Sequence, residues 1–163
     1  MKNVKLFLTD VDGCLTDGGM YYGDDGAEYK RFNVYDGAGM ALLQRAGVPC
    51  GILTGEDTKI VENRARKLHL QYLYMGIGAF HPDKPTKRQV AESICAELGI
   101  TLEQVCYVGD DVNDIDLLEV VGHPFCPQTA HPSVLAIPGI QIVPVNGGQG
   151  VIRYICDQIM AAL

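Results

Sequence analysis

The fold turns on the stretch Lys5-Leu6-Phe7-Leu8-Thr9-Asp10-Val11-Asp12-Gly13. A short apolar run bounded by charge reads as a strand buried on both faces. It runs directly into two carboxylates and a glycine. Were the strand to continue, Asp10 and Asp12 would share a face; a turn at Asp12 would still leave both at the strand's carboxyl end. Carboxylates this close repel unless a cation or a shared proton intervenes. Two turn-forming aspartates closing a strand would account for the pair equally well. Its meaning therefore depends on what else the chain brings to the same edge.

The pattern repeats outward from there. Residues 48–53 read as a second buried strand ending at Thr54-Gly55, and residues 71–75 as a third. Residues 105–108 read as a fourth, ending at Gly109-Asp110-Asp111, with short strands near 124–126 and 140–143. Helical patterns fill residues 36–46, 58–68, 87–98, 113–121 and 151–163, two of them followed by stop signals at Gly47 and Gly99. Residues 18–34 carry Met20-Tyr21-Tyr22 and Glu28-Tyr29-Lys30-Arg31-Phe32 around the turn Gly23-Asp24-Asp25-Gly26, which is a hairpin signal. Residues 76–86 form a Gly/Pro-rich loop. Strands alternating with helices predict an α/β, doubly wound, Rossmann-like fold with a mainly parallel sheet and helices on both faces. In such sheets the ligand lies outside the carboxyl ends of the strands.

Composition agrees. A length of 163 residues suits one domain, read here as 1–163. Hydrophobic residues at 47% and charged residues at 20% exclude a disordered chain, a collagen and a coiled coil. A net charge of −7 has the wrong sign for a nucleic-acid binder, whose affinity rests on neutralising phosphates. The cysteines at 14, 50, 95, 106, 126 and 156 have no zinc spacing and mostly sit in apolar runs. The N-terminus reaches an acid too soon for a signal peptide, and no run approaches the roughly 18 apolar residues of a membrane span. A cytoplasmic location without membrane contact is expected. The histidines at 69, 81, 123 and 131 show no metal spacing; His81 lies in the 76–86 loop and is not expected in the site.

The strand ends carry the chemistry. Gly109-Asp110-Asp111-Val112-Asn113-Asp114 is a second acidic cluster. One aspartate suffices to cap a helix; three and an asparagine exceed that need. Two acidic clusters at one sheet edge point to a hard cation, and without paired His or Cys they point to Mg²⁺ rather than zinc. The Thr54 hydroxyl and the Gly55 N–H suit phosphate oxygens, although an ordinary turn would look the same. In Asp83-Lys84-Pro85-Thr86-Lys87, a lysine at a helix start opposes the helix dipole. An anion in the crevice would compensate it.

Together these signals resemble the haloacid dehalogenase superfamily of phosphotransferases. Its motifs would be Asp10-x-Asp12-Gly13, Thr54, Lys87 or Lys84, and Gly109-Asp110-Asp111-x-x-Asp114, in the right order. Asp10-x-Asp12-Gly13-x-Leu15-Thr16-Asp17-Gly18, then Gly26-x-Glu28-x-Lys30-x-Phe32-x-Val34-x-Asp36-Gly37, and Gly147-Gly148-x-Gly150-x-x-Arg153 look like one branch. That branch is the capless 3-deoxy-ulosonic acid phosphate phosphatases. They hydrolyse 3-deoxy-D-manno-octulosonate 8-phosphate or sialic-acid-type nonulosonate 9-phosphates. The resemblance implies a Mg²⁺-dependent phosphatase with Asp10 as nucleophile, Asp12 as acid and base, and Thr54 with Lys87 or Lys84 on the transferred phosphoryl group. It places the metal on Asp10, Asp12 (through its backbone carbonyl), Asp110 and Asp111, and the sugar acid at Gly55, Glu56, Arg64 and Lys67. Glu56 is the residue nonulosonate members tend to carry. The branch assembles as homotetramers in which one subunit's hairpin flap, here about residues 18–34, covers a neighbour's site. A receiver-type phosphoacceptor domain is the main rival, but it would need an aspartate after the third strand. A catalytically silent binding module is the other.

Overall fold

The computed structural model describes residues 3–78 and 83–163. The expectation that His81 takes no part in the site falls on a residue outside them. β1 (Leu6–Thr9) is buried along its whole length. Leu6 and Leu8 enter one core cluster and Phe7 the other, as alternation across a covered strand requires. β1 pairs in parallel with β4 (Cys50–Leu53) on one side and with β6 (Val105–Val108) on the other. The six-stranded sheet continues outward to β5 (Tyr72–Tyr74) and to β7 (His123–Pro127) and β8 (Gln141–Val143), in the order β5-β4-β1-β6-β7-β8, parallel throughout.

Helices cover both faces, as predicted. α1 (Val34–Arg45), α2 (Lys59–Lys67) and α6 (Val151–Met160) bury Met40, Leu43, Val61, Ile152, Ile155 and Ile159 on one face. α3 (Lys87–Leu98) and α4 (Ile115–Leu118) bury Val90, Ile94, Leu117 and Leu118 on the other. The hairpin is a separate two-stranded ribbon of β2 (Tyr21–Tyr22) and β3 (Glu28–Tyr29), shorter than its aromatic arms suggested. The helix expected over 113–121 is a tight turn at Val112–Asp114 followed by α4 alone. The chain must leave the helix early because Gly122 turns hard against the preceding segment. Its N–H donates to the Leu102 carbonyl at 2.9 Å, and a side chain there would meet the Glu103 carbonyl at 2.0 Å. α5 (Pro132–Leu135) is a single turn the sequence did not announce.

β1 is where the strand order reverses. The chain moves outward through β4 and β5, then crosses back to β6 on the opposite side. Loops diverge at such a switch point and leave a crevice between them. The segments after β1, β4 and β6 are the three acidic or hydroxyl-bearing segments read from the sequence.

Candidate active site

After β1 the chain winds through one tight turn, Val11–Leu15, closed by the Thr16 N–H on the Val11 carbonyl at 2.9 Å. Asp12 and Gly13 leave helical geometry inside it, Gly13 at φ +85°. A β-carbon on Gly13 would fall 1.9 Å from Asp110 Oδ2, so only glycine lets this turn approach the second acidic cluster. The same close fit recurs from the tail. A β-carbon on Gly147 would lie 1.9 Å from the Gly13 carbonyl, and the Gly148 N–H donates to the Cys14 carbonyl at 2.9 Å.

The turn, together with the segments after β4 and β6, frames an open cleft of about 280 Å³. Asp10, Asp12, Thr54, Gly55, Glu56, Asp110, Asp111 and Asn113 line it. Lys87, the first residue of α3, reaches in from behind with no solvent exposure. Its Nζ lies 3.0 Å from Asp10 Oδ2 and 2.6 Å from Asp114 Oδ1. Thr86 and Gln89 hold the start of α3 in a reciprocal capping box. Lys84 is exposed and away from the cleft lining. Of the two candidate lysines, the structure brings only Lys87 to Asp10.

Asp114 is the residue that sequence reasoning quoted without giving it a role. Its Oδ1 accepts from Lys87 and from the Tyr107 hydroxyl. Its Oδ2 accepts the backbone N–H groups of Asp110 and Asp111 at 2.9 and 3.1 Å. It thereby aims both the lysine and the second acidic loop. Asp111, expected to support the metal, caps its own turn on the Val112 N–H at 2.7 Å and also lines the cleft.

One oxygen each from Asp10, Asp110 and Asp114 lie within 4.8 Å of one another. Burial pushes the Asp10 carboxyl up to about 7, against the pull of Lys87. Burial, with the charges of Asp10 and Asp114, pushes Asp110 up to about 8. Clustered carboxylates that hold protons at neutral pH lack positive charge. An all-oxygen donor set of this kind fits a hard divalent cation. Asp10 and Asp110 face the cleft for it, whereas both Asp114 oxygens are already engaged.

Asp12 is held from two sides. Its Oδ1 accepts the Thr16 hydroxyl at 3.1 Å, and its Oδ2 pairs with Lys30 Nζ at 2.6 Å. Arg64 and Lys67 do not join the cleft of the same chain. Arg64 donates to the Asn33 carbonyl at 2.9 Å and stacks on Phe32. Lys67 is exposed at the far end of α2.

A parallel α/β sheet whose switch point presents a buried carboxylate, a paired lysine, a threonine and a cation-ready acidic cluster defines a phosphoryl-transfer enzyme. A family model of haloacid dehalogenase-like hydrolases matches residues 21–122. The 3-deoxy-D-manno-octulosonate 8-phosphate phosphatase KdsC of Escherichia coli (strain K12) is 36% identical over 162 residues, 99% of this chain and 81% of that protein. The crystal structure of the 3-deoxy-D-manno-octulosonate 8-phosphate phosphatase from Moraxella catarrhalis, in complex with magnesium ion, phosphate ion and a KDO molecule, matches with a TM-score of 0.89 at 31% identity, covering 99% of this chain and 88% of that one. The corresponding enzyme from Yersinia pestis matches with a TM-score of 0.88 at 35% identity, covering 98% and 82%. The chain belongs to the haloacid dehalogenase-like hydrolases, and within them it is a phosphoric monoester hydrolase.

Proposed function

We propose that this protein hydrolyses the phosphate ester of a 3-deoxy-2-ulosonic acid through an aspartyl-phosphate on Asp10, with Mg²⁺ as cofactor. The observation that carries the reading is the convergence of Asp10, Asp12, Thr54, Lys87 and Asp110 on one cleft. An Asp10 oxygen attacks phosphorus as the bond from phosphorus to the sugar oxygen breaks. Asp12 gives its proton to the departing alkoxide. It then takes one from the water that attacks the aspartyl-phosphate, returning Asp10 and releasing phosphate. Thr54 and Lys87 bind the transferred phosphoryl oxygens, where charge spreads during transfer. Asp10, the Asp12 carbonyl and Asp110, with Asp111 through water, would hold Mg²⁺. When bound, the ion offsets the repulsion between the Asp10 carboxylate and the phosphate.

Glu56 lines the cleft two residues beyond Thr54, placed to accept hydrogen bonds from sugar hydroxyls. It favours a sialic-acid-type nonulosonate 9-phosphate as the preferred substrate. The second reading, 3-deoxy-D-manno-octulosonate 8-phosphate, is favoured by what the relatives act on. Steady-state kinetics on both esters separate the two. A higher kcat/KM for the nine-carbon ester, reduced in Glu56→Ala, supports the first; a large preference for the eight-carbon ester replaces it with the second.

The proposed assembly is a homotetramer in which the hairpin covers a neighbour's cleft. Its support is the exposure of Met20, Tyr21, Tyr22 and Tyr29 on the ribbon of a single chain. Apolar surface grouped in this way marks an interface.

A further inference from the structure

We propose that Lys30 is a positioning residue for Asp12: the returning arm of the hairpin delivers a buried ammonium that fixes the aim of the acid/base carboxylate. The assignment rests on the phosphatase reading above and adds to it a residue on a different element.

The hairpin is otherwise a surface feature, with Tyr22 68% and Tyr29 60% exposed. The Lys30 side chain is the exception, with no solvent exposure. Its Nζ lies 2.6 Å from Asp12 Oδ2 and 4.0 Å from Glu28 Oε1. Burying an ammonium is costly unless it is paired, and freezing a long lysine side chain costs rotamer freedom besides. The partner that offsets this is a carboxylate lining the cleft. The Thr16 hydroxyl holds the other Asp12 oxygen, so the carboxylate plane is fixed by one group from its own turn and one from the hairpin.

The next residue supplies an internal comparison. Arg31 pairs with Asp17 at 3.1 Å, which anchors the same arm to the same segment after β1. Arg31 is 57% exposed, however, and Asp17 does not line the cleft. Two cations thus fasten the arm, and only one of them touches the reacting machinery. Asp12 must meet the leaving oxygen in the first step and the attacking water in the second. Misplacing a catalytic group by ~1 Å can cost on the order of 10²-fold in rate. An unheld Asp12 would fail most with leaving groups that need a proton. A sugar alkoxide needs one. A p-nitrophenolate departs unaided.

Single-turnover rates with Mg²⁺ on whichever of the two ulosonate phosphates wild type turns over faster, and on p-nitrophenyl phosphate, test this in wild type, Lys30→Met, Lys30→Arg and Arg31→Ala. The sugar-phosphate rate is expected to fall by roughly 10- to 100-fold in Lys30→Met, within the range general acid catalysis contributes. The p-nitrophenolate burst should stay near wild type. Lys30→Arg should recover most of the loss, and Arg31→Ala should keep the wild-type ratio of the two rates, with melting temperatures recorded for each. If Lys30→Met fails to fold, Lys30→Gln is read by the same criterion. Equal slowing of both substrates, no slowing of the sugar phosphate, or the same change of ratio in Arg31→Ala would overturn the assignment. A wild-type protein inert to both esters would overturn the phosphatase reading and this assignment with it.

Discussion

Lys87 lies between Asp10 and Asp114 with all three side chains largely removed from water. One ammonium does not satisfy this neighbourhood, because Asp110 adds another carboxylate. The folded, metal-free protein therefore keeps protons on Asp10 and Asp110 up to about pH 7 and 8, which the unfolded chain has released above roughly pH 4. The folded state binds more protons across that window, so its stability falls as pH rises through it. Mg²⁺ competes with the same protons. Thermal melts should show metal-free protein less stable at pH 8 than at pH 6, and a larger Mg²⁺-induced rise in Tm at pH 8. Equal rises at both values would contradict the reading. Asp10, Thr54 and Asp110 were legible because each ends or follows an apolar run. Lys87 could not be separated from Lys84 by sequence, since the two flank the loop-to-helix junction at close spacing and only the capped start of α3 turns Lys87 inward. Lys30 meets Asp12 across 18 residues through the hairpin's return. In the sequence it stood only as one position of the Gly26-x-Glu28-x-Lys30-x-Phe32 pattern, with nothing to pair it with Asp12.

At the scale of elements, α3 matters through its first turn. Its N-terminus carries a buried cation against the dipole, which the facing carboxylates offset. The Thr86–Gln89 box fixes where that turn begins. Thr86→Ala should lower stability by about 1 kcal/mol in urea unfolding, the usual value of an N-cap. It should also lower kcat more than it raises KM, because Lys87 is the residue proposed to serve the phosphoryl group in transit. A loss confined to KM would argue against that role. α3, β1 and β6 were readable nearly to the residue, since apolar runs and a terminal glycine bound them. α4 was overread because helical periodicity does not register the collision at Gly122. α5 escaped notice because one turn has too few residues to show a period.

At the scale of the molecule, the parallel sheet sets the chemistry at its switch point and the hairpin sets its surroundings. The six cysteines are buried and free. Among the described residues no helix is long and apolar enough to cross a membrane. Arg64 and Lys67 lie outside the cleft of their own chain, so any part they take in sugar binding would need the proposed assembly. Light scattering should give a tetramer for wild type and a smaller species for Tyr22→Asp, with a higher KM for the sugar ester. A wild-type monomer at assay concentration would contradict the assembly. Asp10 is the proposed phosphoryl acceptor of a Mg²⁺-dependent phosphatase. The most direct test of that role is inorganic phosphate release from p-nitrophenyl phosphate by wild type and Asp10→Asn, each with Mg²⁺ and with EDTA. Release is expected from wild type with Mg²⁺ alone, with background rates in the other three cases; turnover by folded Asp10→Asn, or by wild type in EDTA, would overturn that role.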